Sequence, residues 1–97
     1  MTVARVYRMT AAEGKADALA KALGDVVATI RSVSGSEGVE LLQDADQPHQ
    51  FLFIEKWTSV EAHQAAFSQM PAGTLDEVSA AMAGPPDGAY FNSLKTA

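Results

Sequence analysis

The first third of the chain changes from the two-residue period of a strand to the longer period of a helix. Residues 2–9 are rich in β-forming side chains, and Val3, Arg5, Tyr7 and Met9 would share one face. Over residues 15–33 the apolar positions recur every three or four residues, which predicts an amphipathic helix. This stripe contains Ala16, Leu19, Leu23, Val26, Val27 and Ile30. Thr10–Glu13 has the spacing of a helix-capping box, and Ser34-Gly35-Ser36 is predicted to end the helix.

The middle of the chain predicts two strands joined by a tight connection. Residues 37–43 form the first, and a polar turn over residues 44–48 follows it. Residues 50–57 give the strongest strand signal in the sequence, because aromatic and aliphatic residues alternate along it. The short gap between the two segments favours an antiparallel hairpin.

The last third predicts a helical region in two pieces and a final strand. A capping box at Thr58–Glu61 opens a helix whose apolar face carries Val60, His63, Phe67 and Met70. Pro71 interrupts that helix, and a second capping box at Thr74–Glu77 opens a shorter one. The final strand contains Tyr90, Phe91 and Leu94. The order β-α-β-β-α-β indicates one α+β domain over residues 1–97, a ferredoxin-like antiparallel sheet.

The strand at residues 50–57 is apolar on both faces near its centre, with Phe51 and Phe53 on one side and Leu52 and Ile54 on the other. Two helical regions can cover only one face of the sheet, whereas a face exposed to water would carry polar residues. The sequence therefore predicts a homodimer that buries the second face, which would make a dimeric α/β barrel. A monomer with a partly exposed sheet is the alternative.

Composition and charge narrow the classes of partner. The net charge is −5 with a pI near 4.7, and the seven basic residues are scattered, so we expect no binding to nucleic acid or to a membrane. No apolar run approaches the ~20 residues of a membrane-spanning helix, and the N-terminal residues show no signal pattern. The absence of cysteine excludes disulfides and thiolate sites and fits a cytoplasmic location.

Two residues have side chains suited to chemistry on an aromatic ligand. A neutral His63 imidazole on an apolar helix face could accept a phenolic proton, and the Trp57 indole could stack on a planar ring. Tyr7, Phe53 and Phe67 are the expected walls of the same substrate cavity. The alternatives are a structural role for Trp57 in the core and an interior histidine hydrogen-bonded to backbone.

No metal site is expected, because the two histidines lie in separate elements without clustered acids. We expect His49 in a solvated loop, and Arg5 and Arg8 as surface or dimer-edge charges.

The segment from Phe51 to His63 carries a family resemblance. A hydrophobic strand ending in Glu-x-Trp, followed by a Ser and a Glu-Ala step into a helix, resembles the antibiotic biosynthesis monooxygenase family. Glu13-Gly14-Lys15 and Ser36-Glu37-Gly38 resemble it too. The resemblance implies dimeric α/β barrels with a pocket between sheet and helices. It also implies oxidation of electron-rich aromatics or quinols by O₂ without metal, flavin or haem, and it places Trp57 where the family has a recurrent strand-end tryptophan.

Two departures limit what the resemblance implies. Antibiotic-tailoring members pair the tryptophan with an asparagine on the same strand, and residues 49–57 contain none. Haem-degrading relatives use a histidine late in the second helical region, and residues 70–84 contain none. The expected function is cofactor-independent monooxygenation of a small phenol or quinol. The alternatives are a non-catalytic small-molecule-binding or stress-associated dimer on the same scaffold and, disfavoured, haem binding.

Overall fold

Four strands form one antiparallel sheet, and the helical segments cover one of its faces. The computed structural model describes all 97 residues. Its elements are β1 (Val3–Thr10), α1 (Ala16–Ile30), β2 (Ser36–Gln43), β3 (Gln50–Trp57), α2 (Val60–Ala65), a 3₁₀ helix (Ala66–Gln69), α3 (Asp76–Ala81) and β4 (Asp87–Asn92). The strand order is β2-β3-β1-β4 with antiparallel neighbours throughout. The predicted ferredoxin-like α+β fold is confirmed, including the break in the second helical region.

The hydrophobic core lies between the inner face of the sheet and the helices. Alternation along β3 places Phe51, Phe53, Glu55 and Trp57 inward, and all four are buried. On α1, the buried positions are Leu19, Ala22, Leu23, Val26 and Ile30, which closely follow the predicted stripe. The two periodicities meet in one core because the helical stripe packs on the inward residues of the strands.

The start of α2 is fixed by a capping residue and by a close approach of the chain. The Ser59 hydroxyl accepts a hydrogen bond from the Ala62 amide at 3.0 Å, so the cap lies one residue after the predicted Thr58. Gly35 has φ of +89°, and a Cβ there would lie 2.7 Å from Ala62 Cβ. Any larger residue at position 35 would push α2 away from the strand end, and with it the helix residue His63.

Three further predicted boundaries are wrong, two of them because a threonine hydroxyl has another hydrogen-bond partner. Thr10 does not cap α1: it ends β1, and its hydroxyl donates to Gln50 Oε1 at 3.0 Å. Thr74 does not cap α3 either, because its hydroxyl donates to the Pro71 carbonyl. The final strand ends at Asn92, which leaves Leu94 outside it and 89% exposed. No helix has both the length and the apolar character needed to cross a membrane.

Candidate functional site

A cavity of about 210 Å³ lies between the inner sheet face and the helices. Its floor is made by β1 and β3, and its walls by α1, α2, the 3₁₀ helix and α3 with the loop that follows it. The lining residues are Tyr7, Met9, Leu23, Val26, Ile30, Phe53, Glu55, Trp57, His63, Ala66, Phe67, Met70, Leu75, Val78, Ser79, Met82 and Pro86. Most are apolar. The titratable residues among them are Tyr7 on β1, Glu55 on β3 and His63 on α2.

All five predicted site residues border this one cavity: Tyr7, Phe53, Trp57, His63 and Phe67. Phe53 and Trp57 are almost fully buried in its floor, and His63 is buried in its wall. Phe67 is 62% exposed, so it marks the rim rather than the interior. Their roles toward a substrate remain predictions, but the arrangement brings the imidazole and the indole together, with ring centroids 5.7 Å apart.

Tyrosine hydroxyls engage both ring nitrogens of His63. The Tyr7 hydroxyl lies 2.9 Å from Nε2, and the Tyr90 hydroxyl lies 2.6 Å from Nδ1. A neutral imidazole has one donor and one acceptor nitrogen, so one tyrosine donates to the ring and the other accepts from it. His63 is therefore held by two side chains from the sheet, not by backbone groups.

Glu55 connects the tryptophan to the histidine. The Trp57 Nε1–H donates to Glu55 Oε1 at 3.1 Å, and the same oxygen lies 3.5 Å from His63 Nε2. Burial raises the pKa of Glu55 from 4.5 to about 7, against the opposing effects of the Trp57 hydrogen bond and of Arg5. Burial also lowers the pKa of His63. Between these two pKa values the pair is a protonated carboxyl and a neutral imidazole, not an ion pair.

Arg5 is not the surface or dimer-edge charge that the sequence predicted. It lies on the inner face of β1, with its guanidinium carbon 4.9 Å from the Tyr7 ring centroid and 4.4 Å from that of Tyr90. The neighbouring strand carries Gly88, where a Cβ would come within 2.6 Å of an Arg5 nitrogen. Its positive charge adds to burial in lowering the pKa of His63. Arg8, on the opposite face, is exposed as expected.

Glu55, Arg5 and Tyr90 are not among the site residues that the sequence predicted, which placed Tyr90 only in the final strand. Glu55 had a usable signal, because alternation along the strand puts it on the same face as Phe53 and Trp57. Arg5 had the same kind of signal, because alternation puts it on one face with Tyr7, whereas Tyr90 had none. Their meeting depends on the pairing of β1 with β4, in which these two residues lie opposite each other.

Solved structures show the same fold at low sequence identity. A proposed antibiotic biosynthesis monooxygenase from Bordetella bronchiseptica is 16% identical with a TM-score of 0.84, covering 97% of this chain and 98% of its own. Another from Nitrosomonas europaea is 24% identical with a TM-score of 0.83 over 98% and 100% of the two chains. SnoaB from Streptomyces nogalater, a cofactor-independent oxygenase, is 20% identical with a TM-score of 0.81 over 98% and 95%.

At these sequence identities the similarities establish the fold of this chain and do not establish its chemistry. No curated protein is similar enough to this chain to count as a relative. No three His, Cys, Asp or Glu side chains come together as a metal site would require. The sequence profile of the family described as antibiotic biosynthesis monooxygenase matches residues 2–82, which is most of the chain. The chain therefore belongs to the antibiotic biosynthesis monooxygenase family.

Proposed function

We propose that this protein is a cofactor-independent monooxygenase that oxidises a small phenol or quinol with O₂. Membership in the family supports an oxygenase, and the similarity in fold to a cofactor-independent oxygenase is consistent with one that needs no cofactor. The observation that carries the choice of substrate is the position of a neutral imidazole, His63, at the polar end of an otherwise apolar cavity. Such a site binds a planar apolar ring, and the Tyr7 hydroxyl on His63 Nε2 links the hydroxyl of that ring to the imidazole as proton acceptor.

Deprotonation makes the ring electron-rich enough to reduce O₂ by itself. A phenol that gains one oxygen atom and loses two hydrogens becomes a quinone, and the second oxygen atom leaves as water. The organic substrate supplies all the electrons in this balance, so the reaction requires no external reductant. What the protein contributes is a bound orientation, exclusion of water and removal of the phenolic proton.

The size of the cavity limits the ligand. At about 210 Å³ it is smaller than sites for drug-sized molecules, which measure roughly 300–1,000 Å³. Trp57 is fully buried, and its Nε1–H is already donated to Glu55. The indole is therefore proposed to offer its ring to the ligand, as an apolar wall, and not its N–H.

We also propose that the protein is a homodimer in the cytoplasm. The centre of the outer sheet face is apolar, with Ile54 paired to Val6 and Leu52 paired to Leu42. Leu42 and Phe91 are 41% and 55% exposed in the single chain. A second copy with the same face would bury these side chains by sheet-on-sheet packing. The lack of cysteine supports the cytoplasm, which is a reducing compartment, as the proposed location.

Oxygen uptake with a panel of one-ring and two-ring hydroquinones tests the function. The protein is expected to accelerate uptake above the uncatalysed rate. His63→Ala should lower turnover by roughly 10²–10⁴-fold, while Trp57→Phe should mainly raise KM. His49→Ala, in the exposed turn, is the matched control.

Binding of a hydroquinone without oxygen uptake would contradict the proposed catalysis. It would favour the alternative, a non-catalytic dimer that binds small molecules. Purified protein is expected to be colourless, and a stoichiometric visible absorption band that survives dialysis would contradict the cofactor-independent reading.

A further inference from the structure

A continuous path of hydrogen bonds runs from the cavity to the edge of the sheet. Tyr7 lines the cavity, and its hydroxyl meets one nitrogen of His63. The other nitrogen meets the hydroxyl of Tyr90, which does not line the cavity and is half-buried on β4. Because β4 is an edge strand whose other residues are all exposed, the path ends close to solvent.

We propose that Tyr7, His63 and Tyr90 form a proton relay that carries the proton of a bound phenol out of the cavity. This inference rests on the proposed function. The phenolic O–H breaks as its proton passes to Tyr7, and the Tyr7 proton passes to His63 Nε2. The proton on Nδ1 passes to Tyr90, and the Tyr90 proton leaves to water. One proton enters and one leaves, so the phenolate is the only new charge in the cavity.

His63 is suited to pass a proton on and not to keep it. The groups that face it are Arg5 and Tyr7 on β1, Glu55 on β3 and Tyr90 on β4, while α1 and α3 add no titratable side chain to the cavity wall. Burial and the Arg5 charge both lower the pKa of His63 and disfavour an imidazolium. Arg5 also lies over the Tyr90 ring, with its guanidinium carbon 4.4 Å from the ring centroid, and this cation–π contact holds the ring of the exit tyrosine in place.

Glu55 is the group that competes with Tyr90 for the proton, but its position gives that proton no route out of the cavity. Its Oε1 faces Nε2, the same nitrogen that Tyr7 meets, and at a longer distance of 3.5 Å against 2.9 Å. The Glu55 side chain is buried, and its one side-chain hydrogen bond is with the equally buried Trp57. A proton transferred to Glu55 would stay inside the protein, whereas one transferred to Tyr90 reaches the edge strand.

Formation of a bound phenolate without O₂ tests the relay apart from oxidation. 4-Nitrophenol is mixed anaerobically with the protein at a pH where the free phenol is protonated, and phenolate absorbance is followed by stopped flow. Tyr90→Phe keeps the ring and its contact with Arg5 but removes the hydroxyl. It is expected to slow phenolate formation by roughly 10²-fold. Added imidazole should restore much of that loss, because a diffusible base can replace the missing hydroxyl.

The comparison variants separate the relay from its alternatives. Tyr7→Phe should slow phenolate formation in a way that imidazole does not rescue, since access from the cavity is lost. His49→Ala should leave the rate unchanged. Equal rates of phenolate formation for Tyr90→Phe and the unaltered protein would overturn the relay. So would a result in which Glu55→Gln is the only variant that slows phenolate formation. Absence of bound phenolate in the unaltered protein would overturn it as well. Failure of the proposed function shows separately, as absence of oxygen uptake with the hydroquinones.

Discussion

The two faces of β3 are built from alternate residues of the same eight-residue strand and have opposite surroundings. The inward residues are buried, and they include the only tryptophan and the buried Glu55. The outward residues are only half-buried, although Leu52 and Ile54 are as apolar as core residues. Since the helices cover one face only, the inner face contains the cavity and its polar groups, and the outer face is the one proposed to bind a second copy. The proposed chemistry and the proposed assembly therefore use opposite faces of one strand.

Truncation of an inward residue should have the largest effect on stability. Phe53→Ala removes a nearly fully buried ring from the floor of the cavity, and we expect a loss of about 3–5 kcal/mol in the free energy of unfolding. Chemical denaturation at fixed protein concentration measures it. Leu52→Ala, one residue along and outward, is the matched control, and both variants are compared in a background carrying Ile54→Lys, so that loss of dimer contacts does not contribute. An equal loss for the two variants would contradict the separation of the two faces.

Replacing the inward carboxyl should change how stability depends on pH. The pKa of Glu55 is raised from 4.5 to about 7 in the folded protein, so the folded state holds more protons than the unfolded state between these values. Stability from this group therefore falls as pH rises through that window, by about 3 kcal/mol in total.

Glu55→Gln should remove that fall, because the amide stays neutral and can still accept from Trp57. Thermal or chemical unfolding followed from pH 4.5 to 8 checks it, with the exposed Glu40→Gln as control. A stability profile for Glu55→Gln that parallels the unaltered protein would show that Glu55 is not buried as a neutral acid.

A charge on the outward face should affect assembly and spare the cavity. Ile54→Lys places a cation at the centre of the proposed interface, opposite Val6. We expect the dimer dissociation constant to rise at least about 100-fold, which corresponds to about 2.7 kcal/mol or more. Light scattering at micromolar concentration and circular dichroism check it. A folded monomer supports the proposal, and a dimer of unchanged affinity would place the interface elsewhere.

The smallest effect is expected at the rim of the cavity. The Phe67 ring is mostly exposed, so Phe67→Ala should change the free energy of unfolding by no more than about 0.5 kcal/mol. Its contact with a ligand predicts a rise in KM of a few fold with little change in kcat. Steady-state oxygen uptake measures both, and a large fall in kcat would give Phe67 a role beyond the rim.

The sequence alone determined the element order and the inner face of each element. Periods of two and of three to four residues depend only on local geometry, so they place Phe53 and Trp57 together and put His63 on the stripe facing them. The same periods cannot identify the hydrogen-bond partner of a side chain. For this reason the helix caps predicted at Thr10 and Thr74 are wrong, because both hydroxyls donate to other groups.

Only the tertiary structure brought together the polar groups around His63. Tyr7, Glu55 and Tyr90 come from three strands far apart in sequence, and their distances to the imidazole follow from strand pairing and the packing of α2 on the sheet. Arg5 illustrates the reason most clearly. In sequence it is one charge on an alternating strand, and it becomes part of the site because β4 pairs with β1 and places Tyr90 opposite it and Gly88 beside it. Long-range pairing has no local signature, and the hydrogen bonds that hold the His63 ring are long-range pairs.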